Sequence, residues 1–254
     1  MMFNLIKLQI LKNKKILLGC MAFIVFYLFT MIMTAELTAP MFENENFQNM
    51  LKEMFGMTDA EIASMSGMNG YDMVETGFFH QYYPIILLVL SIILIGKYIT
   101  KAFETTTMSC YLCLPISRRK YVASTAVSLG LSVLFCGIVA YLIGLLTFNI
   151  VDMDVNFWAF SQTVLISTLS SLAVAYISMC LAFSFIGGKY RSFYIVVPII
   201  LFFVFMFKDI SPILSYLSPF GWENIYLNVI GCPILIAASI YLSIKLFKRR
   251  NLSL

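Results

Sequence analysis

The 254-residue chain is 61% hydrophobic and 12% charged, with a mean hydropathy of +0.90. So little polar side-chain area cannot coat a soluble globule, and the composition marks an integral membrane protein. The net charge of +4 is modest, but its two signs are segregated along the chain, which points to a lipid surface as partner and not to nucleic acid.

The charges cut the chain into six uncharged stretches: Ile16 to Ala35, Thr76 to Gly96, Tyr121 to Val151, Val155 to Gly188, Ser192 to Phe207 and Asn224 to Ile244. Each is a candidate transmembrane helix, so the expected fold is an all-α membrane protein with six spans. With the N-terminus inside, every Lys and Arg except Lys52 and Lys208 falls on the inner side, and every acid except Glu104 falls on the outer side. Cations are held back on the cytoplasmic face during insertion, so both termini are expected to be cytoplasmic.

Residues 1–15 read as a helix lying at the inner surface, with Phe3, Ile6 and Ile10 on one face and lysines spread around the rest. The apolar core of the first span is longer than a signal peptide needs, and no small-x-small cleavage site precedes Glu36. The outer loop, residues 36–75, carries eight acids and one lysine. Within it Phe47, Met50, Leu51, Met54 and Phe55 follow the i, i+3, i+4 pattern of an amphipathic helix, stopped by Gly56. Thr58-Asp59-Ala60-Glu61 then reads as a capping box for a second short helix bearing Ile62 and Met65, broken by Gly67, Asn69 and Gly70. These helices could pack on the tops of the spans or offer an adaptable apolar contact to a transported molecule.

The stretch from Lys101 to Tyr121 separates the second and third spans on the inner side. Glu104 and three threonines open a short helix, Met108, Tyr111 and Leu112 share a face, and Pro115 ends it. Ser117 is placed to cap the next helix, ahead of Arg118, Arg119 and Lys120. An apolar-aromatic face with one carboxylate and three cations suits a groove on a soluble partner. A solvated, positive-inside turn is the alternative.

The third and fourth spans exceed the ~20 residues that a bilayer requires, so they must tilt or protrude. In the fourth, Ser161, Thr163, Ser167, Thr168, Ser170, Ser171, Ala173, Ala175 and Ser178 form a small, hydroxyl-rich run suited to close helix packing or to a mildly polar transport route. The fifth rises only about 24 Å, short of the ~30 Å hydrocarbon core. Residues 208–223, interrupted by Pro212 and Pro219 and carrying Trp222, read as a re-entrant segment of the outer leaflet or as an interfacial loop.

No ionisable residue falls mid-span in this reading, which argues against proton- or ion-coupled transport. Gly187-Gly188-Lys189 lacks the upstream glycine and the following Ser or Thr of a phosphate-binding loop, and no hydrolase motif is present, so no enzymatic activity is expected. Cys20, Cys136, Cys180 and Cys232 lie within spans. Cys110 and Cys113 lack the second pair or histidine that a zinc site needs, and the one histidine, His80, sits at the outer membrane edge. Neither metal nor cofactor is expected.

Glu104, Thr107, Leu112, Leu114, Pro115, Ile116, Ser117 and Arg118 together resemble the coupling region of the ABC-2 type transporter permeases, with Thr106 where that family has glycine. The resemblance extends through Phe55-Gly56, Gly70-Tyr71, Pro84, Leu217-Ser218-Pro219-Phe220 and the basic end Phe247-Lys248-Arg249-Arg250. It implies a single membrane domain over 1–254, comprising an interfacial elbow helix (1–15), an extracellular loop (36–75), a cytoplasmic coupling loop (101–120) and a re-entrant segment (208–223). It also implies a permease subunit of an ATP-driven exporter in a bacterial plasma membrane. Its partners would be separate ABC ATPase subunits, a second copy or a related permease, and membrane lipid. Phe103, Glu104, Thr107, Met108, Tyr111, Leu112, Pro115 and Arg118 would then contact the ATPase. The spans offer aromatic, methionine and hydroxyl surface without buried charge, so the expected cargo is amphipathic or hydrophobic, such as a membrane-active peptide or a drug. Lipid or polysaccharide export is the rival, and a non-transporting immunity or sensor protein is the alternative from another class. An autonomous channel is disfavoured by the absence of polar spans.

Overall fold

The computed structural model describes residues 2–42, 44–58, 62, 69–104, 117–185, 192–206, 218–219 and 225–249, and every element among them is helical. α1 (Met2–Lys12) and α2 (Lys14–Phe42) are separated only by Asn13. α3 (Glu45–Phe55) lies in the outer loop. α4 is one run of helix made of Gly70–Val74, a π-helical segment Glu75–Tyr82, Tyr83–Ile95, a second π-helical segment Gly96–Thr100, and Lys101–Glu104. α5 (Arg118–Val151), α6 (Phe157–Ser184), α7 (Phe193–Met206) and α8 (Ile225–Arg249) complete the bundle.

Among the described residues five helices, α2, α4, α5, α6 and α8, are long and apolar enough to cross a membrane. α7 has 14 residues and rises about 21 Å, so the expected fifth span is an apolar helix shorter than the bilayer core. Helix ends differ from the hydropathy boundaries. α2 carries Glu36 and Pro40 outward to Phe42, and α4 begins six residues before Thr76. That early start is set by Asn69: its Oδ1 accepts from the Asp72 N–H at 2.9 Å, while Asp72 Oδ2 accepts from the Asn69 N–H at 3.3 Å. Asn69, expected to break a helix, thus nucleates one.

Gly56 does stop α3, in a left-handed conformation at φ 64°, donating its N–H to the carbonyl of Lys52. Only part of the α3 face is covered, since Phe47 packs edge-on against Phe42 whereas Met50 and Met54 are 42% and 70% exposed. The second short helix of the loop lies outside the described residues except at its start, where the Ile62 N–H donates to Thr58 O.

α6 is the centre of the bundle and touches α4, α5, α7 and α8. Its contact with α5 is a seam of glycines seven residues apart. A Cβ on Gly130 would lie 2.5 Å from Tyr176 Oη, on Gly137 3.0 Å from Thr168, and on Gly144 2.5 Å from the Phe160 ring. Each glycine therefore accepts one α6 side chain, letting two backbones approach where lipid gives helices little hydrophobic reason to associate.

The hydroxyls of α6 serve the same purpose. Thr168 Oγ1 lies 3.0 Å from Tyr83 Oη of α4, Ser170 Oγ donates to Asn228 Oδ1 of α8 at 2.8 Å, and Ser161 Oγ donates to Tyr141 Oη of α5 at 3.2 Å. Ser167 Oγ donates to the Phe79 carbonyl at 3.0 Å, and Ser178 Oγ donates to that of Tyr194.

Candidate functional site

The loop expected to carry coupling joins α4 to α5. Thr107, Met108, Tyr111, Leu112 and Pro115 lie outside the described residues, as do the side chains of Phe103 and Glu104, which end α4. The two feet of the loop are described, and they stand on a common base.

On the α5 side, Ser117 has the extended backbone of an N-cap (φ −63°, ψ 145°), and its Oγ accepts from the Lys120 N–H at 3.4 Å, as the sequence leads one to expect. Arg118 turns away from solvent. Its guanidinium carbon sits 5.9 Å from the ring centroid of Phe247 in α8, and its Nη1 donates to the Phe247 carbonyl at 3.4 Å. A cation over an aromatic face is held by the ring quadrupole, and a guanidinium near a helix C-terminus is also favoured by the exposed carbonyls there.

Phe247 is fully buried, with its ring centroid 5.2 Å from Phe183 at the end of α6 and 6.4 Å from Tyr121 in the first turn of α5. Tyr121 also meets Phe183 edge-on. On the α4 side, Tyr121 Oη donates to the Tyr98 carbonyl at 2.5 Å, inside the π-helical segment Gly96–Thr100 that leads into Lys101–Glu104. A π turn accommodates an extra residue and re-aims the following helix, and such turns recur at functional positions. One aromatic cluster thereby ties the ends of α4, α5, α6 and α8 together under the loop.

α1 is fastened to the same end. Gln9 is buried against α5, with its Nε2 donating to Thr125 Oγ1 at 3.2 Å and its Oε1 accepting from Ser128 Oγ at 2.7 Å, while Asn13 Nδ2 donates to the Gln9 carbonyl at 3.0 Å. The inward face of α1 is therefore Leu5, Ile6 and Gln9, whereas Phe3 is 74% exposed. A buried amide satisfied by two hydroxyls turns that face to the bundle, whereas an apolar side chain such as Phe3 can be solvated by lipid.

At the opposite end lies Glu75, the last residue of the expected outer loop. It is half-buried inside α4, and its Oε1 accepts from Thr163 Oγ1 of α6 at 2.6 Å, with Tyr71 Oη 3.4 Å from that hydroxyl. A groove of about 590 Å³ runs between the end of α2 and α3, walled by Leu37, Pro40, Met41, Asn44, Asn46, Phe47 and Met50.

Comparison with known families matches residues 8–228 to the family described as ABC-2 family transporter protein. The chain belongs to the ABC-2 transporter family. No curated protein matches it. Membership makes this ABC-2 protein a multi-pass membrane protein and implies an ABC ATPase subunit as partner. The match begins within α1 and reaches the first turn of α8, so it includes both feet of the loop. Sequence reasoning named Arg118 as an ATPase contact and did not single out Tyr121, Phe183 or Phe247 as site residues. Their signal was available: one aromatic stands near the loop end of each of three helices.

Proposed function

We propose that this ABC-2 protein is the membrane-spanning permease subunit of an ATP-driven exporter. It has no nucleotide chemistry of its own, and separate ATPase subunits drive it through the loop at 101–120. The observation that carries this reading is the aromatic cluster of Tyr121, Phe183 and Phe247, which joins the two feet of that loop to the packed ends of four helices. In this reading 1–254 is one membrane domain in a bacterial plasma membrane, with both termini cytoplasmic. Residues 1–15 form the elbow, supported by the clamp of Gln9 on α5. Residues 36–75 are extracellular. Residues 208–223 form the re-entrant segment, supported by Ser218, which is buried and donates to the carbonyl of Leu201 in the middle of α7 at 3.1 Å. The rest of that segment lies outside the described residues apart from Pro219. A second copy or a related permease completes the pathway, and lipid with anionic headgroups lines the inner face.

The cargo is an amphipathic or hydrophobic molecule such as a membrane-active peptide or a drug, because the spans present aromatic, methionine and hydroxyl surface. Reconstitution of the permease with its ATPase tests this: amphipathic peptides should change ATP hydrolysis at concentrations that leave vesicles intact. A response to lipid-linked glycans or lipids alone replaces the cargo reading while keeping the exporter. The open methionine face of α3 favours one second reading, a membrane immunity or sensor protein that binds a peptide without moving it. Failure of any ATPase to co-purify with the full-length chain selects that reading.

A further inference from the structure

A groove of about 350 Å³ lies where α5 begins and α8 ends, lined by Arg119, Tyr241, Ile244, Lys245 and Lys248. The four α8 residues are spaced i, i+3, i+4, i+7 and so form one stripe of that helix. The stripe grades along its length from an exposed tyrosine ring through an aliphatic side chain to two ammonium groups, the order met on passing from acyl chain to headgroup. Arg119 faces it from α5. Its neighbour Arg118 is engaged with Phe247, but Arg119, Lys245 and Lys248 make no hydrogen bond or ion pair among the described residues. Three cations converging on one concavity repel one another unless an anion joins them. Tyr241, in the groove, and Leu242 and Leu246 on the same helix are exposed, so an apolar chain continuing from an anion held here would meet apolar surface.

We infer that this groove holds the phosphate headgroup of an anionic phospholipid, bridged by Arg119 from α5 and by Lys245 and Lys248 from α8, with its acyl chains running along Ile244 and past the ring of Tyr241. The inference gives a place to the lipid partner of the proposed function, yet it needs no ATPase. A bound lipid here would brace α5 against α8 beside the loop.

Native mass spectrometry of the full-length permease in detergent, titrated with phosphatidylglycerol or phosphatidylcholine, tests it. One retained phosphatidylglycerol per chain is expected, with phosphatidylcholine lost. Changing Arg119→Gln, Lys245→Gln and Lys248→Gln together should weaken retention by about 100-fold, and Lys245→Gln alone by about fivefold, at the strength of one basic side chain near an anionic surface. A control with Lys7→Gln, Lys12→Gln and Lys14→Gln should retain the lipid as the parent does. Equal losses in the control overturn the inference in favour of diffuse surface charge. Undiminished retention by Lys245→Gln and the triple variant overturns it outright, and displacement of the lipid by millimolar inorganic phosphate shows a free-phosphate site instead. None of these results bears on whether an ATPase docks.

Discussion

Ser178 on α6 donates its hydroxyl hydrogen to the carbonyl of Tyr194, the group that Pro198, one turn further along α7, leaves without its usual donor. An α-helical carbonyl receives the N–H four residues on, and proline has none. The same repair occurs on α4. In the π-helical segment the Tyr83 N–H reaches back five residues to Phe78 O, so Pro84 deprives Phe79 O, and Ser167 supplies a proton at 3.0 Å. Two serines of one helix thus allow prolines in two neighbours within a solvent that offers no hydrogen bonds.

Ser178→Ala should therefore destabilise the protein in detergent by about 1–3 kcal/mol, the range for leaving a buried carbonyl unsatisfied. The same change in a Pro198→Ala background should be nearly silent, because replacing the proline restores an N–H to Tyr194 O. Thermal unfolding of the four proteins measures the cycle. Equal losses in both backgrounds would show that the hydroxyl serves some other purpose.

The glycine seam makes a steric prediction. Gly144→Leu sets a Cβ 2.5 Å from the Phe160 ring, which is packed on Tyr141 and Phe148 and cannot yield freely. Overpacking of this kind costs about 1–3 kcal/mol, and Phe160→Ala should recover part of that loss in the double variant. Purified yield and melting temperature report both effects. No recovery would mean that α5 and α6 are not in contact there.

How much of this was legible before the structure depends on which physical signal each feature leaves. Five of the six expected spans announced themselves because uncharged stretches are what a bilayer demands, and α3 did so through the spacing of Phe47, Met50 and Met54. Hydropathy marks the edge of the hydrocarbon and not the end of a helix, so it could not show that α2 passes Glu36 or that α4 starts at Gly70. The two π segments of α4 leave no compositional trace at all. Gln9 was hidden because a single amide among lysines gains its meaning only from Thr125 and Ser128, more than a hundred residues away. The hydroxyl run of α6 was visible and its packing role was one of two readings; which serine repairs which proline needed coordinates.

Topology has a direct test. In a background lacking native cysteines, Asn46→Cys, in the outer loop, should react with an impermeant maleimide on intact cells, and Thr106→Cys, between α4 and α5, only after lysis. Lys and Arg are so unevenly divided between these two sides that labelling of both on intact cells would remove the basis for placing the termini in the cytoplasm.

The proposed coupling makes the sharpest prediction, because it assigns docking and transmission to different residues. Leu112→Asp places an unpaired charge in an apolar contact and should cost several kcal/mol of ATPase binding, as should Glu104→Arg by reversing the loop's one carboxylate. Both variants should insert normally and lose the ATPase on gentle purification. Phe247→Ala acts elsewhere: it removes the ring that Arg118, Tyr121 and Phe183 share, forfeiting about 0.5–1.5 kcal/mol for each aromatic contact while altering no residue of the loop itself. That variant should still bind the ATPase, and its ATP hydrolysis should no longer respond to cargo; Phe247→Tyr, which keeps the ring, should respond. Co-purification read beside cargo-stimulated hydrolysis separates the two classes. If Phe247→Ala hydrolyses ATP and transports like the parent, force does not pass through the aromatic cluster. If Leu112→Asp does so too, the ATPase engages some other part of the chain.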